Sequence, residues 1–164
     1  MKTKKLVIAA MLAALVCVTT MAVKIPSPLK GYLNLGDCVV LLSGWILSPF
    51  YSFFAAGLGS ALADIISGYA IYAPATFVIK GVMAIAAFFI TKALCSKFGR
   101  LASAVLGGLV AELIMVFGYF IFEGFIYGFS PSLINIPANA VQGLVGLIIG
   151  VILIKIIERS KIFK

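Results

Sequence analysis

Six apolar runs follow one another along the chain, at 6–23, 38–47, 50–67, 75–91, 101–126 and 133–154. Crossing the hydrocarbon core of a bilayer as helix takes about 20 predominantly apolar residues, and several of the runs reach that length. The composition leaves little alternative. Of 164 residues 63% are hydrophobic and 11% charged, with no His, and the mean hydropathy is +1.22. A soluble domain of this size needs more polar surface than that. The pattern predicts an all-α integral membrane protein, one compact domain over residues 1–164 built as a six-transmembrane-helix bundle. The second run is short, ending at Ser48-Pro49, which predicts a helix that is tilted or covered by its neighbours.

Charge placement supports the count, because cytoplasmic loops collect Lys and Arg. With six spans and a cytoplasmic N-terminus, the inner face receives Lys2, Lys4, Lys5, Lys92, Lys97, Arg100, Lys155, Arg159, Lys161 and Lys164. Lys24 and Lys30 fall outside, and Lys80 lies within a helix. Both termini are therefore expected in the cytoplasm, in a multi-pass protein of the cell membrane. The net charge of +8 then reflects topology and affinity for anionic lipid, and makes no case for nucleic acid. Residues 2–22 also have the basic start and apolar core of a secretory signal, whose removal would leave five spans. Cys17 is preceded by Val16 where a lipoprotein site expects a small residue. Cys17, Cys38 and Cys95 have no metal or redox spacing and read as small apolar helix residues.

Asp64, Lys80 and Glu112 lie inside the apolar runs. At a helix centre such a group costs roughly 2.5 to 3.5 kcal/mol to insert, so intramembrane charges are normally paired, turned inward and functional. Helical spacing gathers more polar groups with them. Gly57, Ser60, Ala61, Asp64 and Gly68 share one stripe at steps of three and four, a small-residue face that admits a neighbouring helix. Glu112, Tyr119 and Glu123 form a second stripe, and Asn135, Asn139, Gln142 and Gly146 a third. Topology places Asp37, Asp64, Lys80, Tyr119, Glu123, Asn139 and Gln142 in the outer half of the membrane, with Glu112 nearer the middle. A polar pocket opening outward follows. The competing account is a set of interhelical hydrogen bonds worth about 0.6 kcal/mol each, and it applies best to Ser60, Glu112 and Asn135. Lys80 is expected to pair with Asp64 or Glu112, since an unpaired Lys in hydrocarbon loses its proton. Tyr32, Tyr69, Tyr72, Tyr119 and Tyr127 lie near the mouth, as ring-stacking partners or interface anchors.

Two outer connections are long enough to cover such a mouth. The stretch 24–36 reads KIPSPLKGYLNLG, where Pro26, Pro28 and Gly31 prevent helix while Tyr32, Leu33 and Leu35 stay apolar. It reads as an ordered lid folded onto the bundle. The stretch 127–134, with Gly128, Ser130 and Pro131, flanks the same mouth.

The runs GYLNLGD at 31–37, GLGSALADIISGYAIYAPATFVIKG at 57–81 and PANAVQGLVG at 137–146 resemble the substrate-binding S components of energy-coupling factor (ECF) vitamin transporters, over nearly the whole chain. Ala9, Ala10, Ala13 and Ala14 make two overlapping Ala-x-x-x-Ala pairs, similar to the face those proteins dock on their transmembrane coupling subunit. The resemblance implies a vitamin-binding protein that captures substrate outside. It would reorient with a coupling subunit and two ATPase subunits to release the vitamin inside. It further implies that Tyr32, Asn34 and Asp37 border the site, with Asp64, Lys80, Asn139 and Gln142 beneath; the polar stripes and the mouth tyrosines add Tyr72, Glu112 and Tyr119 to the substrate-binding candidates. The motif pattern is most similar to members linked to pyridoxine or hydroxymethylpyrimidine, with a riboflavin-specific S component as the alternative. Carboxylates with Lys, Asn, Gln and Tyr suit a small heteroaromatic ring bearing hydroxyl or amino groups.

Enzyme chemistry has little to stand on. With no His, no base near a Cys and no phosphate-binding Gly-rich loop, an intramembrane hydrolase lacks an activated nucleophile. No catalytic residue, resident metal or cofactor is expected. A structural membrane scaffold is the remaining class, and it would tolerate loss of Asp64 and Lys80.

Overall fold

Proline and glycine set the boundaries of the elements in the computed structural model, which describes residues 2–27, 29 and 31–160. Pro28, Lys30, Lys161 and Lys164, and the side chain of Lys2, lie outside the described residues. Helix α1 (Lys2–Ala22) leads into a two-rung antiparallel ribbon, β1 (Ile25–Pro26) and β2 (Tyr32–Leu33), then α2 (Asp37–Ile46). Pro49 opens α3 (Pro49–Ile66) from the first turn, where its missing N–H has no helical partner to lose. Helix α4 (Ala73–Phe98) and α5 (Arg100–Tyr127) are separated by Gly99 alone. That residue has φ +76°, a left-handed conformation a Cβ would strain. Gly128, at φ +93°, ends α5. A short helix α6 (Phe129–Ser132) and a 3-10 turn (Leu133–Asn135) then lead into α7 (Ile136–Ser160).

The fold is the expected six-helix bundle. Five helical stretches are long and apolar enough to cross a membrane, the last running continuously over Phe129–Ser160. The sixth helix, α2, spans only about 15 Å at 1.5 Å per residue, and Asp37 through Trp45 are all buried. Its neighbours enclose it, so it presents almost nothing to lipid. The long helices turn Met11, Ile66, Phe89, Phe117 and Ile148 outward, an apolar belt that only a bilayer can cover. Helix α4 continues past Thr91 to Phe98, beyond the end its apolar run suggested. Lys92 and Lys97 do not break a helix, since their stems lie along it while the ammonium reaches water.

Close packing of α1 corrects one expectation. A Cβ on Gly59 of α3 would stand 2.4 Å from the Ala13 carbonyl oxygen and 2.8 Å from Val16 Cβ, so α1 lies directly against α3 at that glycine. Ala9 is 7% exposed and Ala13 half-buried. That pair packs inside the bundle and is not a docking face, whereas Ala10 and Ala14 point outward. The α1 sequence is apolar on all sides, so spacing alone did not say which of the two pairs faces in.

The two ends of the bundle differ. One carries the β-ribbon, the 67–72 connection and the α6 region. At the other, Lys5 of α1 and Glu158 of α7 line a common cavity and Arg100 forms an ion pair with Glu158, so the first and last helices begin and end on the same side.

Candidate functional site

A narrow polar cavity of about 30 Å³ lies beneath the β-ribbon. Its roof comes from the 24–36 segment, with Ser27, Gly31, Tyr32 and Asn34 as lining residues. Helix α3 contributes Asp64, and the connection and start of α4 contribute Tyr69, Tyr72 and Thr76. Tyr119 and Glu123 enter from α5, and Asn139 and Gln142 from α7. Tyr72, Thr76 and Lys80 recur at steps of four, so they share one stripe of α4.

Hydrogen bonds tie the roof to these helices at several points. The Tyr32 hydroxyl donates to Asp64 Oδ1 at 2.7 Å, and its ring lies 4.7 Å from that of Tyr69. Burial, and then the Asp64 carboxylate it faces, hold the Tyr32 hydroxyl above its usual range, so it remains a donor at neutral pH. The Asn34 backbone N–H donates to Gln142 Oε1 at 2.9 Å. Leu29 N–H donates to Asn135 Oδ1 at 3.3 Å, and Lys24 Nζ donates to Ser67 Oγ at 3.1 Å. On the wall, Asn135 Nδ2 donates to Glu123 Oε1 at 2.8 Å and Tyr72 donates to the same oxygen at 3.4 Å. Thr76 and Tyr119 share a hydroxyl pair at 3.0 Å.

Beneath the cavity lies a buried charge pair. Lys80 Nζ donates to Asp37 Oδ1, and Gln142 Nε2 donates to Asp37 Oδ2 at 2.6 Å. Lys80 also stands 5.5 Å from the centre of the Tyr119 ring, within cation–π range. The pairing of Lys80 with Asp64 or Glu112 expected from the sequence is thus corrected: its partner is Asp37, wholly buried at the first turn of α2. The reason is depth. The 24–36 segment dips into the bundle, so the short α2 starts well inside it and delivers Asp37 to the level of Lys80.

Of the ten residues expected to bind substrate, Tyr32, Asn34, Asp64, Tyr72, Tyr119, Asn139 and Gln142 line the cavity. Asp37 and Lys80 do not line it and lie one layer below, joined to it through Gln142. Glu112 lies apart, on a wall where a Cβ at Gly143 would meet its Oε2 at 2.9 Å. Its two oxygens have no hydrogen-bond partner among the described residues. Thr76 and Ser27 escaped the sequence reading. Extending the α4 stripe one turn back from Lys80 finds Thr76, whereas Ser27 lies in irregular chain and gave no periodic signal. Glu123 belonged to a recognised stripe without being assigned to the site.

Two features limit what the cavity can accept. Asp64 Oδ2 and Glu123 Oε2 are buried and have no partner among the described residues, while no Lys or Arg is among the described lining residues. The rim is rich in acceptors and acidic. At about 10–15 Å³ per water, the space holds about two waters, so a ring-sized molecule enters only when the roof or wall shifts.

A family model described as the ECF-type riboflavin transporter, S component, matches residues 1–159. A protein of Pyrococcus woesei, named as an uncharacterized protein in a gap 3′ region, is 41% identical over 137 residues, 82% of this chain and 88% of that one. The thiamine precursor transporter HmpT of Lactococcus lactis subsp. cremoris (strain MG1363) is 27% identical over 138 residues, 84% of this chain and 76% of that one. Among solved structures, the S component of a bacterial ECF transporter superposes with TM-score 0.79 over 99% of both chains at 22% identity. The S component for biotin from an ECF-type ABC transporter gives 0.59 over 94% of this chain and 92% of that one, at 20% identity. At these identities the two structures establish the fold.

Proposed function

The chain belongs to the ECF-type riboflavin transporter S-component family, and from that premise we propose that it captures a small heteroaromatic vitamin or vitamin precursor, of pyridoxine or hydroxymethylpyrimidine type, in the cavity beneath the β-ribbon. It is a multi-pass membrane protein and a transporter subunit, not an enzyme. The observation that carries the substrate reading is the acidic, donor-seeking rim. Among the described residues Asp64 Oδ2 of α3 and Glu123 Oε2 of α5 are unpartnered acceptors, so a ring with amino or hydroxyl donors at both edges answers both. A substrate bearing carboxylate or phosphate finds no free cation there among the described residues, because Lys80 is already neutralised by Asp37. The similarity to a thiamine precursor transporter supports the same class.

Riboflavin is the second reading, favoured by the description of the matching family model. It requires a larger displacement of the roof, since the cavity is narrow. In either case the 24–36 segment is the gate. Its bonds to Asp64, Gln142 and Asn135 join it to α3, α7 and the 3-10 turn, so releasing it opens the cavity to the side of the membrane opposite the termini. The basic residues Lys5, Lys92, Lys97, Arg100, Lys155 and Arg159 support a cytoplasmic position for the terminal end. Delivery inward depends on a coupling subunit docked on the exposed Ala10 and Ala14 of α1, where two small residues one turn apart admit a helix closely, and on ATPases bound to that subunit.

Equilibrium dialysis of the purified protein against radiolabelled hydroxymethylpyrimidine, pyridoxine and riboflavin tests this reading. Saturable binding of one of the smaller vitamins is expected. Asp64→Asn should weaken it by about tenfold or more, on the scale of one charge-assisted hydrogen bond of about 1.5–3 kcal/mol. Binding of riboflavin alone, or affinity indifferent to both Asp64→Asn and Glu123→Gln, overturns the assignment.

A further inference from the structure

At the terminal end, opposite the polar cavity, two adjoining cavities of about 620 and 230 Å³ share Trp45, Arg100 and Ile154 as walls. We propose that together they bind one anionic phospholipid, with its phosphate among Lys5, Arg100 and Lys92 and acyl chain along the apolar wall. Three observations lead to that ligand. The larger cavity is lined by Ile8, Ile46, Leu47, Ile154 and Ile157, a surface that suits hydrocarbon and not a hydrated solute. Charge is the second. Lys5 and Arg100 border the larger cavity and Lys92 and Arg100 the smaller, against one carboxylate among the described lining residues, that of Glu158. The ion pair to Glu158 engages Arg100 through Nε, and a guanidinium carries further donors that suit a phosphate.

Trp45 is the third and independent observation. It is 8% exposed, and its indole N–H has no hydrogen-bond partner among the described residues. The ring is held between α5 and α7. Its outer carbons lie 3.3 Å from where a Cβ on Gly108 would stand and 3.4 Å from one on Gly150. An indole N–H only donates and a buried donor left alone is costly; the N–H is itself covered, so a phosphate or ester oxygen in the cavity answers it once the ring turns. The level in the membrane agrees. Trp45 lies at the end of α2 and Tyr51 near the start of α3, beside the first residues of α5 and the last turns of α7. This is the depth at which headgroup meets acyl chain and at which basic pockets between helices take acidic lipids.

The test compares the full chain in nanodiscs of dioleoylphosphatidylcholine with nanodiscs that also contain dioleoylphosphatidylglycerol, read by native mass spectrometry on release. The wild-type protein is expected to retain one phosphatidylglycerol in preference to phosphatidylcholine. The Lys5→Ala/Arg100→Ala variant should lose about thirtyfold of that preference, the product of two cations near a headgroup. Trp45→Phe, which keeps an aromatic wall but removes the donor with the pyrrole half of the indole, should reduce it as well. Vitamin binding measured on the same samples shows that each variant is folded. Equal retention of the two lipids, or retention unchanged in the double variant, overturns the proposal. So does maleimide labelling of a Ser48→Cys variant that ignores phosphatidylglycerol and is blocked only by bound coupling subunit, an outcome that assigns the groove to a protein.

Discussion

Replacing Lys80 with Met removes the ammonium while keeping an unbranched side chain of similar length, and leaves the Asp37 carboxylate without its cation. The Lys80 and Asp37 side chains are 3% and 0% exposed, so solvent screens almost none of their interaction. Breaking a buried pair from one side costs about 3–5 kcal/mol, because the surviving charge keeps its desolvation penalty. The Gln142 amide still donates to Asp37 in wild type and variant alike, so it does not cancel the loss. At about 2–4 °C per kcal/mol for a chain of this size, Lys80→Met should lower the thermal unfolding midpoint in detergent by on the order of 10 °C. Adding Asp37→Asn removes the stranded charge and keeps an acceptor for Gln142 Nε2. The double variant should therefore recover most of the loss, with a coupling energy of at least about 2 kcal/mol. Asp64→Asn and Glu112→Gln serve as comparisons, since either would be the rescuing change if it were the true partner. Rescue of Lys80→Met by one of these in place of Asp37→Asn, or a single variant within about 1 kcal/mol of wild type, refutes the reasoning.

Tyr32→Phe deletes the donor that fastens the roof to Asp64. Vitamin dissociation followed by stopped flow should accelerate by about tenfold or more, from a charge-assisted bond of about 1.5–3 kcal/mol, and an unchanged rate would remove Tyr32 from the gate. Ala10→Leu or Ala14→Leu should leave vitamin binding intact and abolish uptake in cells, while Ala9→Leu should instead destabilise the bundle by about 1–3 kcal/mol through overpacking. Uptake that survives both outward substitutions disproves the docking face. Glu112→Met removes a buried carboxyl whose two oxygens have no partner among the described residues and should raise unfolding stability by about 1–3 kcal/mol at constant vitamin affinity. A loss of affinity would return Glu112 to the site.

Hydropathy made the helices legible because lipid imposes length and apolarity on every span. It made Asp64 and Lys80 conspicuous for the same reason, and the stripes of α3, α5 and α7 turned Asp64, Tyr119, Asn139 and Gln142 toward one another. Pairing was harder to read. Asp37 follows a Gly- and Pro-rich stretch and looks like the edge of a loop, and nothing local tells that the loop descends far enough to set it beside Lys80. Thr76 was hidden because a helical hydroxyl often bonds its own backbone, and only the fold brings Tyr119 within 3.0 Å. The face of α1 was ambiguous because a membrane helix is apolar toward lipid and protein alike, so burial of Ala9 and exposure of Ala10 follow from the contact with Gly59 rather than from polarity.

The position of the charge pair also explains how an acidic cavity can exist this deep. Were Lys80 free at the rim, it would neutralise Asp64 and the site would favour no particular charge. Because Asp37 holds it below, the layer under the cavity is locally neutral, and Asp64 and Glu123 each keep an acceptor without a partner among the described residues. Gln142 links the two levels, donating to Asp37 through Nε2 and accepting from the Asn34 backbone through Oε1, which also fixes the orientation of its amide. That layer therefore positions the residue that fastens one side of the roof, and Asp64 on the rim fastens the other through Tyr32. On the proposed reading a ligand that donates to Asp64 Oδ2 shares the carboxylate with Tyr32, which holds Oδ1, so ligand and roof would be fastened to one group and loss of either bond would loosen the other's anchor.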